Sequence, residues 1–469
     1  MTKKDYLALS VLLSAGFLTI FDLFVVNIAI ANIQLHLQAS LLQITLVIVS
    51  YEIGFGLLLI TGGRLGDLFG RRRLFQIGIF AFILTSLLCG IASTANFLVF
   101  ARFIQGLSAA LLFPQVYASI RVSFDAENSR RAFGLLGMTL GLAAIAGQIL
   151  GGWIISANLW NLQWRTIFLV NIPVGLLALI FSRHIRESLA PEKSELDLMG
   201  VLLSGIGIFA LLLPLLIGPT FNWPMWCWAL LFFACITLLQ FARHEKQYAK
   251  QGKKPLLDFN LLKNKQFFLG CVLVLFIYST SSSFFLVFAL FLQNDLGFNP
   301  FNAGLLFAPA SVAFVFSSLN AAHLVKRFGS NVITGGALLY FLSFIALIVT
   351  IMAVSSITIL LFLIVPILML LGYGQGLIMT PLLNIVLSFV NVQFAGMASG
   401  IIATLQQVGA AFGVAIVSVL VQYHTNSVDS LSSIASQNAF AQSMLYNVFA
   451  AFVSFYLLKI LHRNKMQTP

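Results

Sequence analysis

The chain has few charged residues for its length. Of its 469 residues only 9% are charged, whereas 60% are hydrophobic, and the mean hydropathy is +0.99. A soluble globular domain cannot cover its surface with so few charges, so this class is excluded. The net charge of +12 comes from basic residues scattered in short segments between apolar runs. This pattern indicates membrane topology, and we expect no nucleic-acid partner.

Cysteine is also scarce, and its positions argue against a disulfide framework. The four cysteines lie inside apolar runs without the spacing of metal ligands, and the six histidines lie in loops or near helix ends. The sequence contains no Gly-x-x-x-x-Gly-Lys-Ser/Thr loop of the kind that binds ATP. We therefore expect no bound metal, no cofactor, no ATP-driven pump and no enzymatic activity.

The chain contains many long apolar runs. A bilayer core of about 30 Å needs about 20 apolar residues in a helix. By this rule we predict fourteen membrane spans, near 7–33, 41–62, 74–92, 97–121, 131–156, 164–185, 197–218, 223–243, 267–293, 299–323, 331–353, 357–380, 396–422 and 440–461. Lys and Arg lie in alternate loops and at the adjoining span ends, and only Arg102 and Arg165 lie on the opposite, outer side. This alternation predicts that both termini lie in the cytoplasm.

The fourteen spans suggest a division of the chain into six, two and six. We predict an all-α integral membrane protein with an N-terminal six-helix half at 1–190 and a C-terminal six-helix half at 263–469. A two-helix insertion with a basic cytoplasmic loop occupies 191–262. Pseudo-symmetric halves are typical of secondary transporters, whose substrate site lies between the halves near the midplane.

Two carboxylates interrupt the apolar runs. Asp22 lies near the middle of the first span and Glu52 near the middle of the second, whereas the other carboxylates lie in loops or near helix ends. A charge at such a depth costs about 2.5–3.5 kcal/mol on insertion scales. Burial favours the neutral form of a carboxyl group, so either side chain could exchange a proton or attract a lipophilic cation. The alternative is that both are permanently protonated or paired and only hold helices together.

Arg102 is the basic residue that lies well inside a span of the first half, and Gln105 follows it one helical turn later. A guanidinium cannot be neutralised, so it needs a carboxylate, carbonyl groups or water. We predict Asp22 or Glu52 as its partner, in which case protonation would switch an ion pair. The alternative is a structural arginine bonded to carbonyls.

A short charged segment joins the second and third spans. Residues 62–73 read Gly-Gly-Arg-Leu-Gly-Asp-Leu-Phe-Gly-Arg-Arg-Arg, which predicts a tight loop at a membrane surface. The segment resembles the loop between the second and third helices of the major facilitator superfamily, in the positions Gly63, Asp67, Gly70, Arg71 and Arg72. The resemblance implies the major facilitator fold and an inner gate latched by these charges. The alternative role of the arginines is to fix topology and contact anionic lipid.

Further segments resemble the fourteen-helix drug:proton antiporter branch of this superfamily. They include the first span from Asp22 through Asn27, the fourth-span residues around Arg102, and the stretch from Trp164 through Gly175. The fifth span carries glycines at helical spacing, and there the resemblance is to an antiporter gating motif made here by Gly141, Gly147, Gln148, Gly151 and Gly152. Gln148 stands where the branch has proline, so this helix should lack the usual kink.

The second half has no carboxylate within its predicted spans. Its polar residues, together with two from the first half, give a candidate cavity lining of Asn27, Gln105, Tyr278, Tyr373, Gln375, Gln406 and Gln407. We therefore expect proton coupling to reside in the first half, at Asp22, Glu52 and Arg102. The second half would supply an apolar and aromatic wall.

These features lead to one main functional prediction and two alternatives. The main prediction is a monomeric, proton-coupled exporter of lipophilic, cationic small molecules in a bacterial inner membrane, whose partners are the substrate, protons and the lipid bilayer. The proton gradient would supply the energy. One alternative is an exporter of a specific metabolite or siderophore-like product. The other is a transporter-like receptor that moves nothing.

Overall fold

The fold was analysed in a computed structural model, which describes residues 3–157, 161–188, 196–253, 255–298, 300–329, 331–354, 356–427 and 433–465. Within these ranges the chain forms helices and no β-strand. Fourteen segments are helical, long and apolar enough to cross a membrane, which confirms the predicted number of spans.

The spans are numbered 1 to 14 in chain order. Thirteen of them are single α-helices: Lys3–Leu37, Leu41–Phe69, Arg71–Gly90, Ala95–Ser123, Ala126–Ala157, Leu198–Ile217, Met225–Lys250, Lys265–Leu290, Pro300–Phe328, Asn331–Ala353, Ile357–Ser388, Ala395–Ser427 and Ser433–Lys465. The exception is span 6, which consists of Thr166–Leu169 and Asn171–Phe181 between the 3-10 turns Gln163–Arg165 and Ser182–His184. Smaller elements are a π-helical turn, Phe291–Asp295, a short helix, Asn260–Lys263, and the 3-10 turns Gly218–Phe221 and Val392–Phe394.

The interruption of span 6 follows from its sequence. The helix stops at Leu169 and resumes at Asn171, two residues before Pro173. Proline has no N–H group, so it cannot donate to the carbonyl of Leu169 four residues earlier, and its ring crowds that carbonyl. The break places Asn171 in the first turn of the second helical piece.

Residues 62–73 differ from the predicted loop. Span 2 remains helical through Phe69 and span 3 begins at Arg71, so the turn consists of Gly70 alone, with φ 101° and ψ 130°. Glycine has no Cβ and adopts this backbone conformation without strain. The prediction of a loop across 62–69 is therefore wrong, and Asp67 lies on the last helical turn of span 2.

Span 8 is longer than predicted. Its helix continues past the expected end near 243 as far as Lys250. His244 and Glu245 therefore lie on a helix instead of in the basic loop that follows. Span 7 begins at Leu198, where the side chain of Asp197 accepts a hydrogen bond from the N–H of Gly200 and caps the helix.

The chain divides into two compact units. Unit 1 comprises Met1–Ala132, Leu142–Phe268 and Leu387–Thr404, and unit 2 comprises Phe133–Gly141, Leu269–Val386 and Leu405–Pro469. In unit 1 span 4 packs against spans 1, 2 and 3, and span 7 packs against spans 2 and 8. In unit 2 span 11 packs against spans 10 and 14. The division at 190 and 262 stays a prediction.

Candidate functional site

Asp22 lies at the centre of a buried polar network in unit 1, and its side chain has no exposed surface. One carboxylate oxygen accepts hydrogen bonds from the Asn171 amide at 2.8 Å and the Gln105 amide at 3.1 Å. The other oxygen forms an ion pair with Arg102. Three donors thus converge on one carboxylate, which is the arrangement that suits its ionised form.

Arg102 is held on every side. Besides Asp22, its guanidinium donates to the Gln105 side-chain oxygen at 2.8 Å and to the Val47 carbonyl at 3.3 Å. The Tyr51 ring lies 4.3 Å from the guanidinium carbon, within the range of a cation–π interaction. Of the two partners predicted for Arg102, the structure pairs it with Asp22.

Local sequence features bring these side chains together. Gly106 on span 4 lies against the carbonyl of Tyr51 on span 2, and any side chain at this position would collide with that carbonyl. The close approach places the Tyr51 ring over Arg102. Span 6 contributes Asn171, which follows Val170, a residue with helical dihedral angles of φ −64° and ψ −22°. Span 3 contributes Ser86, which accepts from Gln105 at 2.9 Å.

One buried polar atom in the network has no partner. The side-chain oxygen of Asn171 makes no hydrogen bond within the described part of the chain, although the residue has no exposed surface. Its amide nitrogen already donates to Asp22 and, at 3.4 Å, to Ser86. A flip of the amide would turn this oxygen towards Asp22, where it would accept a hydrogen bond from the protonated carboxyl.

Glu52 has a different environment from Asp22. It is half-buried on span 2, and it forms no ion pair or hydrogen bond that the structure shows among the described residues. Its charge interacts with that of Arg102. A half-buried carboxylate without a fixed partner is free to meet a cation, whereas the buried carboxylate of Asp22 is already paired.

At the other end of span 2, Asp67 joins two elements. Its carboxylate forms an ion pair with Arg71 at 2.5 Å and accepts a hydrogen bond from the N–H of Met397 at 3.0 Å. Met397 lies in the first turn of span 13, where the helix dipole favours a negative charge. Asp67 and Arg71 are both buried, with 1% and 3% of their side chains exposed.

Glycines permit the close contact between the ends of spans 2 and 13, inside unit 1. Gly63 lies against the carbonyl of Gly396, and Gly400 lies against the carbonyl of Leu59. A Cβ at any of these glycines would collide with backbone of the other span. Ser399 adds a hydrogen bond at 3.1 Å to the carbonyl of Pro114 on span 4.

The three arginines after Gly70 have different surroundings. Arg71 donates to the Ser188 hydroxyl at 2.8 Å in addition to its pair with Asp67. Arg72 is partly exposed and lies 3.6 Å from Glu187, whereas Arg73 is exposed. Only Arg73 thus has the exposed side chain expected of a residue that contacts anionic lipid.

The fifth-span glycines contact two different sets of neighbours. In unit 1, Gly147 and Gly151 pack against the backbone and side chain of Val25 on span 1. In unit 2, Gly141 packs against Phe314 on span 10. The helix runs through Gln148 and Gly152 without a break, but the side chain of Gln148 lies outside the described residues.

The predicted cavity residues do not form one group. Gln105 belongs to the Asp22 network, and the side chain of Asn27 lies outside the described residues. The others belong to unit 2. There Tyr278 hydrogen-bonds with Gln406, and Gln375 donates to the Ser281 hydroxyl at 2.8 Å. The remaining two, Tyr373 and Gln407, are half-buried.

Unit 2 has a second polar network, and it is neutral. The Ser283 hydroxyl donates to Asn447 at 2.6 Å, and the Asn447 amide donates to the Thr280 carbonyl at 3.3 Å. Tyr340 donates to the Thr280 hydroxyl at 3.3 Å. Next to it lies a cluster of contacting aromatic rings: Phe284, Phe285, Phe288, Phe291, Phe307, Phe344 and Phe440.

Comparison with known proteins identifies the family. Residues 12–414 match the Major Facilitator Superfamily. The protein belongs to this superfamily. The major facilitator fold predicted from residues 62–73 is therefore confirmed, and the protein is a membrane transporter of that family.

The chain is similar to two bacterial transport or resistance proteins in sequence and to one human transporter in structure. The probable actinorhodin transporter of Streptomyces coelicolor is 33% identical over 419 residues, which cover 89% of this chain and 72% of the relative. The multidrug resistance protein Stp of Mycobacterium tuberculosis is 30% identical over 404 residues, covering 85% and 73%. The crystal structure of the human organic anion transporter MFSD10 has a TM-score of 0.67 at 12% identity, covering 98% of this chain and 100% of that one, a likeness of fold alone.

Some members of the Asp22 network were not predicted as site residues. Asn171 was part of a family resemblance only, and Ser86 and Tyr51 were not singled out. Neutral polar side chains are common in apolar spans and cost little free energy there, so their presence in the sequence does not indicate a functional site. The nearest local signal is Pro173, which indicates an irregularity in the helix but does not show in which direction Asn171 points.

Proposed function

We propose that this member of the superfamily is a proton-coupled exporter of lipophilic, cationic small molecules that works by alternating access. The observation that carries the proposal is the Asp22–Arg102 ion pair, buried in unit 1 and joined by side chains from spans 3 and 6. Ionisable groups at membrane depth are costly, and they mark ion or proton pathways in membrane proteins.

The geometry links proton binding to the pairing of Arg102. A proton on Asp22 would cancel the charge that holds the guanidinium, and the O–H would need an acceptor. The free oxygen of Asn171 and the side-chain oxygen of Gln105 are both within this network. Arg102 would then keep only its hydrogen bonds to Gln105 and to the Val47 carbonyl. The network would thus have two arrangements, one with Asp22 ionised and one with Asp22 protonated, and a single proton would select between them.

Two further features support a cationic substrate and an inner gate. Glu52 offers a half-buried carboxylate that the structure leaves unpaired among the described side chains, so a cation can compensate its charge. The Asp67–Arg71 pair and its bond to Met397 would hold the cytoplasmic end closed and release it during the cycle.

The location and orientation are part of the proposal. Basic residues lie in alternate loops and the relatives named above are bacterial, which supports a bacterial inner membrane with both termini in the cytoplasm. We propose that a monomer is the working unit.

A second candidate is export of one specific product. It is favoured by the relative at 33% identity, which is named for a single compound, actinorhodin. A specific exporter would use the same proton-coupled pair in unit 1. The difference would lie in the substrate side chains of unit 2.

The test is proton flux in proteoliposomes that contain the purified full-length protein. A pH gradient is imposed, and lumenal pH is followed as lipophilic cations, neutral compounds and anions are added in turn. We expect several unrelated cations to collapse the gradient with the wild type but not with Asp22→Asn. Because Asp22→Asn leaves Arg102 without its counter-ion, the double variant Asp22→Asn/Arg102→Gln is measured beside it.

The outcomes separate the candidates. Wild-type proton flux in both variants would contradict coupling through Asp22. A response to one compound class from cell extracts, with none to the panel, would favour the specific exporter. Size-exclusion profiles of each variant show whether a lost response reflects chemistry or misfolding.

A further inference from the structure

A cluster of potential metal ligands lies at one end of spans 7 and 8, away from the Asp22 network. Asp197 caps the first turn of span 7, and His244 and Glu245 are adjacent on the last turns of span 8. One ligand atom from each of the three lies within 4.8 Å of the others. This cluster could not be predicted from the sequence, because Asp197 and His244 are 47 residues apart and the helix of span 8 was expected to end before His244.

Asp197 and His244 already face each other. The Nε2 atom of His244 lies 2.8 Å from one carboxylate oxygen of Asp197. The other oxygen of Asp197 accepts from the N–H of Gly200 at 2.9 Å, which fixes the carboxylate in place. A carboxylate held by a second group is oriented in the way that metal ligands are in proteins.

Glu245 completes the cluster with an unpaired atom. The residue has no exposed surface, and one of its oxygens accepts from the N–H of Leu257 at 3.0 Å. Its other oxygen, Oε1, accepts no hydrogen bond from an N–H or hydroxyl group within the described ranges, and its carboxylate interacts with that of Asp197. A buried carboxylate oxygen without a partner is costly, so a cation or a proton at this position would stabilise the fold.

Gly200 allows the two carboxylates to lie side by side. A Cβ added to Gly200 would collide with Glu245 Oε1 and would lie 2.9 Å from Asp197 Oδ2. Both oxygens therefore pack against the Cα atom of this glycine, and a side chain there would push the Glu245 carboxylate away from Asp197.

A positive charge from span 2 also acts on the cluster. Arg64 interacts electrostatically with both Asp67 and Glu245, so one guanidinium serves two carboxylates. Arg71 is paired with Asp67.

We propose that Asp197, His244 and Glu245 form a binding site for a divalent transition-metal ion, Zn²⁺ above all. One imidazole nitrogen and two carboxylate oxygens suit Zn²⁺, whereas Mg²⁺ and Ca²⁺ prefer oxygen ligands alone. Zinc bonds to such atoms measure about 2.0–2.2 Å, so the ion would separate His244 from Asp197 slightly. A water molecule would complete the coordination, and the 27% exposure of His244 gives the ion a way in.

The ion would tie three parts of unit 1 together. It would join span 7 to span 8, and Glu245 would relay the connection to the segment at Leu257. Because Arg64 on span 2 interacts electrostatically with the same carboxylate, metal binding would also leave more of the charge of that guanidinium to Asp67. The proposal does not depend on the transport function above.

The experiment is zinc binding to the purified, tag-free full-length protein in detergent. After removal of metal with a chelator, the protein is dialysed against buffered Zn²⁺, and the bound metal is counted by mass spectrometry. We expect one zinc ion per chain in the wild type and a melting temperature that rises with zinc. His244→Ala and Gly200→Ala should each weaken zinc binding at least about tenfold.

His323→Ala is the matched control, because His323 is an exposed histidine outside the cluster. It should bind zinc as the wild type does. Equal zinc affinity in the wild type and in His244→Ala would overturn the proposal. A wild-type protein that binds no zinc would also overturn it, and would indicate that a proton is shared by the two carboxylates instead. If Gly200→Ala fails to fold, the result for His244→Ala tests the proposal alone. We expect this variant to fold, since the side chain of His244 is partly exposed. Replacement of zinc by Co²⁺ should give a visible spectrum that His244→Ala lacks.

Discussion

Units 1 and 2 both bury a polar network, but only the network of unit 1 carries charge. In unit 1 the carboxylate of Asp22 is paired with Arg102 and surrounded by amides. In unit 2 the corresponding groups are hydroxyls, an amide and a phenol, centred on Thr280 and Asn447. The hydroxyls and the amide of the neutral network neither gain nor lose a proton at physiological pH. The charged network can gain one, and that proton changes which partners the remaining charge needs.

The energetic difference between the networks follows from desolvation. A buried ion pair contributes little net stability, but removing one partner costs about 3–5 kcal/mol because the other charge stays buried. A neutral hydrogen bond contributes about 1 kcal/mol. The charged pair is therefore poorly suited to stabilising the fold and well suited to responding to a proton. The neutral network suits packing and shape.

The largest effect is expected from breaking the charged network. Asp22→Asn should abolish pH-driven efflux and lower the free energy of unfolding by about 3–5 kcal/mol, since Arg102 stays buried without its counter-ion. Asp22→Asn/Arg102→Gln should recover most of the stability and none of the coupling. Thermal unfolding and proteoliposome efflux measure the two effects separately. Coupled efflux in the double variant would mean that the two networks do not differ in function.

A smaller effect is expected at the buried charges near Gly70. Asp67→Asn leaves the buried Arg71 without its counter-ion, which should lower the free energy of unfolding by about 3–5 kcal/mol. It also removes the negative charge at the start of span 13, which contributes about 1–2 kcal/mol to closure of the gate. A loss of this size at the gate should slow efflux about tenfold. The number of protons exchanged per substrate molecule should stay the same. Asp125→Asn serves as the control, because Asp125 is an exposed carboxylate in the turn between spans 4 and 5. A similar loss in both variants would point to a general charge effect.

Glu52→Gln should change which substrates are accepted and leave coupling intact. Loss of one negative charge about 4 Å from a bound cation removes about 1 kcal/mol even in water, and more where water is excluded. The apparent affinity for cations should fall about fivefold or more relative to neutral compounds, measured by competition in the same efflux assay. An unchanged ratio would exclude Glu52 from the substrate site.

The smallest effect on transport is expected in unit 2. Ser283→Ala removes the donor to Asn447 and should cost about 1–3 kcal/mol of stability, because the amide oxygen is left buried without that partner. The proton-to-substrate ratio should equal that of the wild type. A changed ratio would show that the neutral network also takes part in coupling.

Much of the fold follows from the sequence. Hydropathy is a local property, so the fourteen spans and the buried depth of Asp22, Glu52 and Arg102 could be predicted one segment at a time. Helix ends were less accurate. The glycines and charges of 62–69 indicate a loop when only composition is considered, but their N–H and C=O groups continue the ladder of span 2 up to Gly70.

The partners within the site were less predictable. Asp22 and Glu52 were equal candidates for Arg102, because both lie at similar depth on neighbouring spans. The structure pairs Arg102 with Asp22, which also accepts from Gln105 and Asn171, and leaves Glu52 half-buried. Whether a residue such as Asn171 joins a network depends on how far its helix is rotated, and composition does not determine rotation.

The sequence by itself determined the class of protein, the number of spans and the presence of ionisable groups at membrane depth, because the cost of a charge in an apolar run can be read at each position. Only the tertiary structure decided which charges meet. It paired Arg102 with Asp22, set Asp67 against the start of span 13, and brought His244 and Glu245 to Asp197. The physical reason is distance: the interaction of charges and hydrogen-bonding groups falls off within a few ångströms, and positions far apart in the chain become neighbours only when the helices pack.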